Sequence, residues 1–123
     1  MASADEPSPI NRDVLDGYAR RWGAGFVVQM IDLFVKDSPT RLAAAERGIA
    51  TGDATAVGAA AHALKSSAGN LGALTLMNRT AEIERVVREG GAAATLGPMV
   101  ASMATELGVT CDSLLRLRAE LST

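Results

Sequence analysis

Apolar residues recur at helical spacing through almost the whole chain, and this periodicity constrains the fold more than any other feature of the sequence. At about 100° per residue, one narrow arc collects the apolar residues of the central segment. These residues are Val57, Ala60, Leu64, Ala68 and Leu71. Similar stripes follow within 73–89 and in the C-terminal segment. No segment alternates between apolar and polar residues over a useful length, so the sequence predicts an all-α protein without strands.

Glycine, proline and capping residues divide these stripes into separate helices. Ser38-Pro39 is typical of a helix start, with serine as N-cap and proline at the first helical position. The predicted helices cover about 11–20, 25–36, 39–50, 54–69 and 73–89, and a last one starts near 98 or earlier. Because most connectors are short, neighbouring helices should run antiparallel. The sequence predicts an antiparallel four-helix bundle with a short N-terminal lid helix and one further short or flanking helix.

The N-terminal end differs in composition from the rest of the chain. Residues 1–9 contain an aspartate, a glutamate and two prolines without an apolar core, which predicts a flexible tail and not a signal peptide. Residues 10–121 are expected to form one helical domain, because a chain of 123 residues can bury a core without disulfides or metals.

Charge and cysteine content exclude several classes of protein. The net charge is −2 and no cluster of lysine and arginine is present, so nucleic acid is a poor candidate partner. The single cysteine, Cys111, cannot form an internal disulfide, and with only one histidine the chain has no zinc-binding spacing. No apolar stretch approaches the length of a membrane span. We expect a soluble, reduced, cytoplasmic protein that binds neither nucleic acid nor membrane.

The single histidine, His62, lies opposite the apolar arc of its predicted helix. Lys65, Ser66 and Gly69 share this polar side. A histidine that packed for structural reasons should lie on the apolar arc instead. The small or cationic neighbours leave the ring open to a large partner, so the pattern indicates a group presented to another protein.

Each role that a histidine can play requires different neighbours. A general base needs an orienting carboxylate, and a metal site needs further ligands. The nearest carboxylates along the chain, Asp53, Glu82 and Glu84, are not within one helical turn of His62. Glu82 and Glu84 are predicted to lie on a solvated face. A nucleophilic imidazole that takes up a phosphoryl group needs exposure, a neutral nitrogen and a nearby cation, which Lys65 can supply.

Residues 62–72 read His-Ala-Leu-Lys-Ser-Ser-Ala-Gly-Asn-Leu-Gly, which closely resembles the phosphoacceptor motif of histidine-containing phosphotransfer (HPt) domains of multistep phosphorelays. The family pattern is His-x-Leu-Lys-Gly/Ser, then small residues and a glycine ten positions after the histidine, here Gly72. Residues 26–34 and the following Asp37-Ser38-Pro39 are similar to the family's second helix and the turn into its third. The resemblance covers about residues 10–120.

The resemblance implies that His62 is phosphorylated and that Lys65 supports the phosphate. The sequence does not determine which ring nitrogen carries the phosphate, and the resemblance favours Nε2. Ser66 and Gly69 would give an incoming protein clearance. Gln29 matches a second-helix position that faces the histidine region in the family, so it is a candidate neighbour of the site. The implied protein is a monomeric phosphocarrier in two-component signal transduction, with no ATP-dependent kinase activity, metal site or cofactor of its own. Its partners would be receiver domains of response regulators or hybrid histidine kinases, which bring Mg²⁺ and exchange the phosphoryl group through an aspartate.

Two other classes of protein remain as alternatives. The dimerisation and phosphoacceptor part of a sensor kinase also presents a histidine on a helix, but an acidic residue typically follows that histidine and an ATP-binding domain follows the bundle. Here Ala63 follows, and the chain has no glycine-rich nucleotide box. The other alternative is a helical interaction module that is not phosphorylated and in which His62 is incidental.

Overall fold

A computed structural model describes residues 9–122, and these residues form five helices and no strand. The helices are α1 (Arg12–Trp22), α2 (Ala24–Thr51), α3 (Ala54–Asn70), α4 (Leu74–Arg88) and α5 (Ala93–Leu121). The predicted all-α class is confirmed. Residues 1–8 of the predicted tail lie outside the described part of the chain. None of the described helices is long and apolar enough to cross a membrane.

The four longer helices form the bundle, and α1 covers one end of it. Helix α3 packs between α2 and α4, and α5 closes the ring by packing against both α2 and α4. Connections as short as residues 52–53 and 71–73 force consecutive helices to run antiparallel. Helix α1 packs on α2, and its N-cap Asn11 donates its backbone N–H to the carbonyl oxygen of Gly72 at 2.7 Å. The predicted lid helix therefore lies where α3 turns into α4.

The apolar arc predicted for the central helix faces the core. Val57, Ala60, Leu64, Ala68 and Leu71 are all buried. The side of α3 that carries His62 is consequently left for solvent and for α4. Burial of one arc thus determines the direction in which the histidine points.

The predicted helix start at Ser38-Pro39 is wrong. Helix α2 continues through Pro39, and Ser38 is buried inside the helix instead of capping it. Phe34 before the proline and Ala45 after it are both buried on the same side of α2. Packing of both halves against one core outweighs the local preference of proline for a helix start. The residues assigned to a further short helix therefore form the C-terminal half of α2.

Replacement of Pro39 by alanine should stabilise the protein. Proline in a helix interior costs about 3 kcal/mol relative to alanine, and the greater freedom of the unfolded chain offsets up to about 1 kcal/mol of the gain. We expect the free energy of unfolding in urea to rise by about 2 kcal/mol for Pro39→Ala. The neighbouring exposed Thr40→Ala should change it by less than about 0.5 kcal/mol. A loss of stability in Pro39→Ala would mean that packing requires a bend at this proline.

The helical spacing of Phe26, Met30 and Phe34 in the sequence predicts a stripe that is mostly in the core with a minority of its surface exposed, and Phe26 is 39% exposed. Its ring packs against Trp22 and Tyr18, with ring centroids 5.2 and 5.9 Å away. These rings come from both sides of Gly23, whose φ of 93° allows the sharp turn between α1 and α2. The aromatic residues thus hold the lid helix to the bundle while part of their surface faces solvent.

Candidate functional site

His62 lies in the middle of α3 with its side chain 65% exposed. The helix begins after Asp53, whose carboxylate accepts a hydrogen bond from the backbone N–H of Ala56 at 3.0 Å. Lys65, one turn after the histidine, is 33% exposed, and Ser66 is exposed as well. The predicted polar face of α3 is therefore present, with an imidazole that a partner can reach.

A carboxylate from another helix contacts this histidine. Glu84 on α4 places Oε2 at 2.9 Å from Nδ1 of His62. The side chain of Glu84 is only 13% exposed. The expectation that Glu84 lies on a solvated face, and that no carboxylate orients His62, is therefore wrong. Separation along the chain does not reveal this contact, because the contact joins two helices and does not lie within one helix.

The same carboxylate also pairs with Lys65. Its second oxygen, Oε1, lies 2.5 Å from Nζ of Lys65. His62 and Lys65 are three positions apart on α3, so both side chains project from one side of the helix towards α4. Glu84 therefore bridges the two α3 residues that the sequence motif singles out.

The pKa of the Glu84 carboxyl is lowered from its ordinary value. Burial acts to raise this pKa, but Lys65 and His62 lower it further than burial raises it. Glu84 is consequently an anion near neutral pH. An ionised carboxylate can only accept hydrogen bonds, and this fixes its role towards the imidazole.

The position of Glu84 relative to the turn between α3 and α4 is a sequence signal for its contact with His62. His62 lies ten residues before Gly72, and Glu84 lies twelve residues after it. In an antiparallel helical hairpin, positions at similar distances from the turn lie side by side. Glu84 also follows Ile83, which is buried, so it lies at the edge of the apolar stripe of α4. This signal can be used only after α3 and α4 have been identified as an antiparallel hairpin.

The two small residues of the motif have different surroundings. Ser66 is exposed on the side of His62, as expected for a residue that leaves room for a partner. Gly69 is partly buried, and a Cβ built on it would lie 3.3 Å from Sδ of Met77 on α4. Close packing between α3 and α4 therefore also favours a glycine at position 69. Clearance for a partner at Ser66 and Gly69 remains a prediction.

The structure does not bring Gln29 to His62. A Cβ on Gly48 would lie 2.7 Å from Cγ2 of Val57, so α2 and α3 are paired at this level. Because the two helices are antiparallel, the part of α2 level with His62 is near Ala43. At about 1.5 Å per residue, Gln29 lies about 20 Å further along the helix, exposed to solvent. The position does not support a contact of Gln29 with the surroundings of the histidine.

Gly72 has a structural role that explains its place in the motif. Its φ of 70° is in the left-handed region that favours glycine. A Cβ here would lie 2.9 Å from the carbonyl oxygen of Asn11 and 3.1 Å from Cβ of Val14. Gly72 thus lets the lid helix sit directly on the turn that pairs α3 with α4.

Residues 9–122 contain no group of three or more histidine, cysteine, aspartate or glutamate side chains arranged to hold a metal ion. The chemistry available at this site is that of an imidazole, a carboxylate and an ammonium group. Such a set can hold one imidazole nitrogen in a hydrogen bond and leave the other as a nucleophile.

Two solved structures resemble this fold. Histidine-containing phosphotransfer protein B (HptB) from Pseudomonas aeruginosa PAO1 superimposes with a TM-score of 0.81 and 24% sequence identity, over 94% of this chain and 98% of that one. The HPT domain of the Hpt sensor hybrid histidine kinase from Shewanella gives a TM-score of 0.80 at 16% identity, with the same coverage of both chains. At these identities the likeness concerns the fold alone. No curated protein matches the chain significantly.

The family assignment rests on the sequence itself. Residues 29–122 match the family described as the Hpt domain. The matched region contains α3 with His62 and Lys65, α4 with Glu84, and the turn at Gly72. It also includes most of the bundle that positions these residues. The chain therefore belongs to the Hpt domain family.

Proposed function

We propose that the protein is a phosphorelay intermediate in which His62 accepts a phosphoryl group from a receiver-domain aspartate and passes it to another. The observation that carries the proposal is the exposed ring of His62, with Glu84 at Nδ1 and Lys65 one turn further on. Membership in the Hpt domain family supports the same role. The reaction needs only a positioned nucleophile and charge compensation from the chain, because the partner brings the phosphoryl donor.

The transfer step can be written in terms of bonds. The lone pair of one imidazole nitrogen attacks the phosphorus of the partner's aspartyl phosphate, and an N–P bond forms. The P–O bond to the aspartate breaks, and its electron pair leaves with the aspartate carboxylate. Transfer to the next receiver domain is the reverse reaction with a different aspartate. The resemblance to HPt domains implies Nε2 as the attacking nitrogen.

Lys65 would offset the charge that the phosphoryl group adds to α3. Its side chain projects from the same side of the helix as the imidazole and is 33% exposed. The Mg²⁺ that assists transfer is proposed to be bound by the receiver domain. We further propose that the protein has no ATP-dependent kinase activity and acts as a cytoplasmic monomer.

An apolar groove beside the acceptor helix is a candidate contact surface for the receiver domain. It lies between α2 and α3, where Leu33 and Met30 face Leu64 and Ser67. Leu33 is 60% exposed and lies beside Met30 in this groove, so its apolar surface is available to a partner. A receiver domain that covers this groove would lie next to the helix that carries His62.

Incubation with a phosphorylated receiver domain tests the function. We expect label to appear on the wild-type protein, to be lost in acid and to be retained in alkali, as an N–P bond requires. Addition of a second, unphosphorylated receiver domain should then remove the label. A protein that takes no label from any receiver domain of its source organism would contradict the proposal, and label stable in acid would exclude a phosphohistidine. A dimer in solution would favour the sensor-kinase alternative.

Lys65→Ala should slow transfer without unfolding the bundle. Loss of one charge-assisted contact to a phosphoryl group costs about 1.5 to 3 kcal/mol, which corresponds to a rate about 10 to 100 times lower. The chain offers a matched control in Lys36, an exposed lysine on α2 and the only other lysine present. Lys36→Ala should transfer at the wild-type rate. Equal rates for both variants would show that Lys65 does not support the phosphate.

A further inference from the structure

We propose that the corner where α1 meets α2 is a docking site for an acidic protein segment that carries an apolar side chain. This aromatic corner is formed by the exposed residues Arg20, Arg21, Trp22 and Phe26, together with Tyr18, whose ring contacts the other two rings. The site is separate from the surroundings of His62. The proposal is therefore independent of the function proposed for the histidine.

The first argument is the uneven use of aromatic residues in this chain. The sequence has one tryptophan, one tyrosine and two phenylalanines, and three of these four rings meet at the aromatic corner. Among the described residues, the buried core contains one aromatic side chain, that of Phe34. Trp22 is 54% exposed and Phe26 is 39% exposed. Rings that served only to fill a core would be buried, so packing alone does not explain these two.

The second argument is that the rings are already ordered. The ring centroid of Trp22 lies 5.7 Å from that of Tyr18 and 5.2 Å from that of Phe26. A ligand that covers rings held in this way costs the protein little conformational entropy. Tryptophan, tyrosine and arginine are also the residues on which binding energy at protein interfaces is concentrated. The aromatic corner contains all three.

Charge indicates the chemistry of the ligand. Arg20 and Arg21 are exposed, and no carboxylate in the described part of the chain pairs with either of them. Asp16, one turn before Arg20, pairs with Arg12 instead. The guanidinium of Arg21 lies 5.2 Å from the centroid of the Trp22 ring, which places a cation beside the largest apolar surface of the corner. Two unpaired cations around exposed rings are complementary to carboxylates that flank an apolar side chain.

An anionic lipid surface fits the aromatic corner less well than an acidic peptide does. Segments that bind such lipids carry about four to eight lysines and arginines, each of which contributes modestly. The corner has two arginines, and the chain as a whole has a net charge of −2. An anionic membrane would therefore repel the protein overall, whereas a short acidic segment meets only the two cations.

The aromatic corner lies far from the acceptor histidine along the bundle. The part of α2 level with His62 is near Ala43, and at about 1.5 Å per residue Phe26 lies about 25 Å further along the helix. A globular domain of about 100 to 150 residues has a radius of about 17 to 19 Å. A receiver domain centred on His62 would end before the corner. The corner is thus open to a different segment while phosphotransfer takes place.

The fluorescence of Trp22 tests the proposal directly, because it is the only tryptophan in the chain. The probe is a synthetic peptide of aspartate and glutamate with one leucine and one phenylalanine at its centre. We expect the emission to shift to shorter wavelength as the peptide covers the indole, with half-saturation below about 1 mM. Higher salt should weaken this binding. A wild-type protein whose emission does not respond to the peptide up to about 1 mM would overturn the proposal.

Charge variants test the acidic character of the ligand. A protein with both Arg20→Gln and Arg21→Gln should bind the peptide about 10 times more weakly, because two charge pairs are lost. Arg116→Gln, which removes an exposed arginine on α5, is the matched control and should bind like the wild type. A peptide with lysine in place of aspartate and glutamate should not bind. Equal binding of the acidic and basic peptides, or of the double variant and the wild type, would contradict an acidic ligand.

Two further measurements separate this site from other surfaces. Saturating peptide should leave the labelling of His62 by a phosphorylated receiver domain unchanged, and a peptide that blocks labelling would show that the corner belongs to the receiver contact. Peptide binding by a protein that takes no label would count against the proposed function alone. Vesicles of phosphatidylserine and phosphatidylcholine should not shift the Trp22 emission. A shift with vesicles and none with the peptide would assign the corner to a lipid surface and refute the proposal.

Discussion

Gly72→Ala is expected to lower the free energy of unfolding by about 2 to 6 kcal/mol. A left-handed backbone conformation costs a non-glycine residue about 1 to 3 kcal/mol, and overpacking adds about as much again. Both apply here, because φ is 70° and the new Cβ would lie 2.9 Å from the carbonyl oxygen of Asn11. The neighbouring atom is backbone and belongs to the N-cap of α1, so relief requires the lid helix to move. The melting temperature should fall by about 10 to 20 °C.

Gly108→Ala is the matched control for this substitution. Gly108 lies within α5, is exposed, and has no atom within 4 Å of the position a Cβ would take. Alanine there should stabilise the helix by about 0.5 to 1 kcal/mol. The same change of residue should therefore have opposite signs at the two positions. A Gly72→Ala variant that melts like the wild type would show that α1 does not depend on the close approach at this turn.

His62→Gln should remove all phosphoryl labelling while leaving the fold intact. Glutamine has no nitrogen lone pair comparable to that of imidazole, so no phosphoramidate bond can form at this position. The side chain is 65% exposed, so the bundle loses little packing on substitution. We expect a melting temperature within a few degrees of the wild type. The label on the variant is measured over time after incubation with a phosphorylated receiver domain.

Thr55→Gln is a suitable control for the same experiment. Thr55 is exposed near the start of α3, two turns before His62. The Thr55→Gln variant therefore places the same new side chain on the same helix, away from the histidine. It should be labelled as rapidly as the wild type. Unchanged labelling of His62→Gln would show that another residue accepts the phosphoryl group, and loss of labelling in Thr55→Gln would show sensitivity of the docking surface instead of the nucleophile.

Periodicity predicts those parts of the structure that depend on which side of a helix is buried. The arc from Val57 to Leu71 is buried as expected, and His62 is exposed because it lies opposite that arc. The boundary between the predicted helices 54–69 and 73–89 is a local feature as well, and the structure has an N-cap at Asp53 and a turn at Gly72. These predictions succeed because they require only the helix and its own residues.

Features that depend on contact between helices could not be predicted in the same way. Pro39 has the local pattern of a helix start, but burial of Phe34 and Ala45 on one core carries α2 through it. Glu84 reads as a surface residue until α4 is folded back on α3, and only then does its carboxylate meet His62 and Lys65. The position of Gln29 likewise depends on the register of α2 against α3. In each case the pairing of two elements overrides a local preference.

The central claim is that the phosphoryl group is carried by the one histidine of α3. The most direct test is mass spectrometry of the wild-type protein after transfer from a phosphorylated receiver domain, with digestion in alkaline buffer to preserve an N–P bond. The account predicts one added phosphoryl group per chain, on the peptide that contains His62 and on that residue. A phosphoryl group on a serine, threonine or aspartate, or no modification at all, would contradict it.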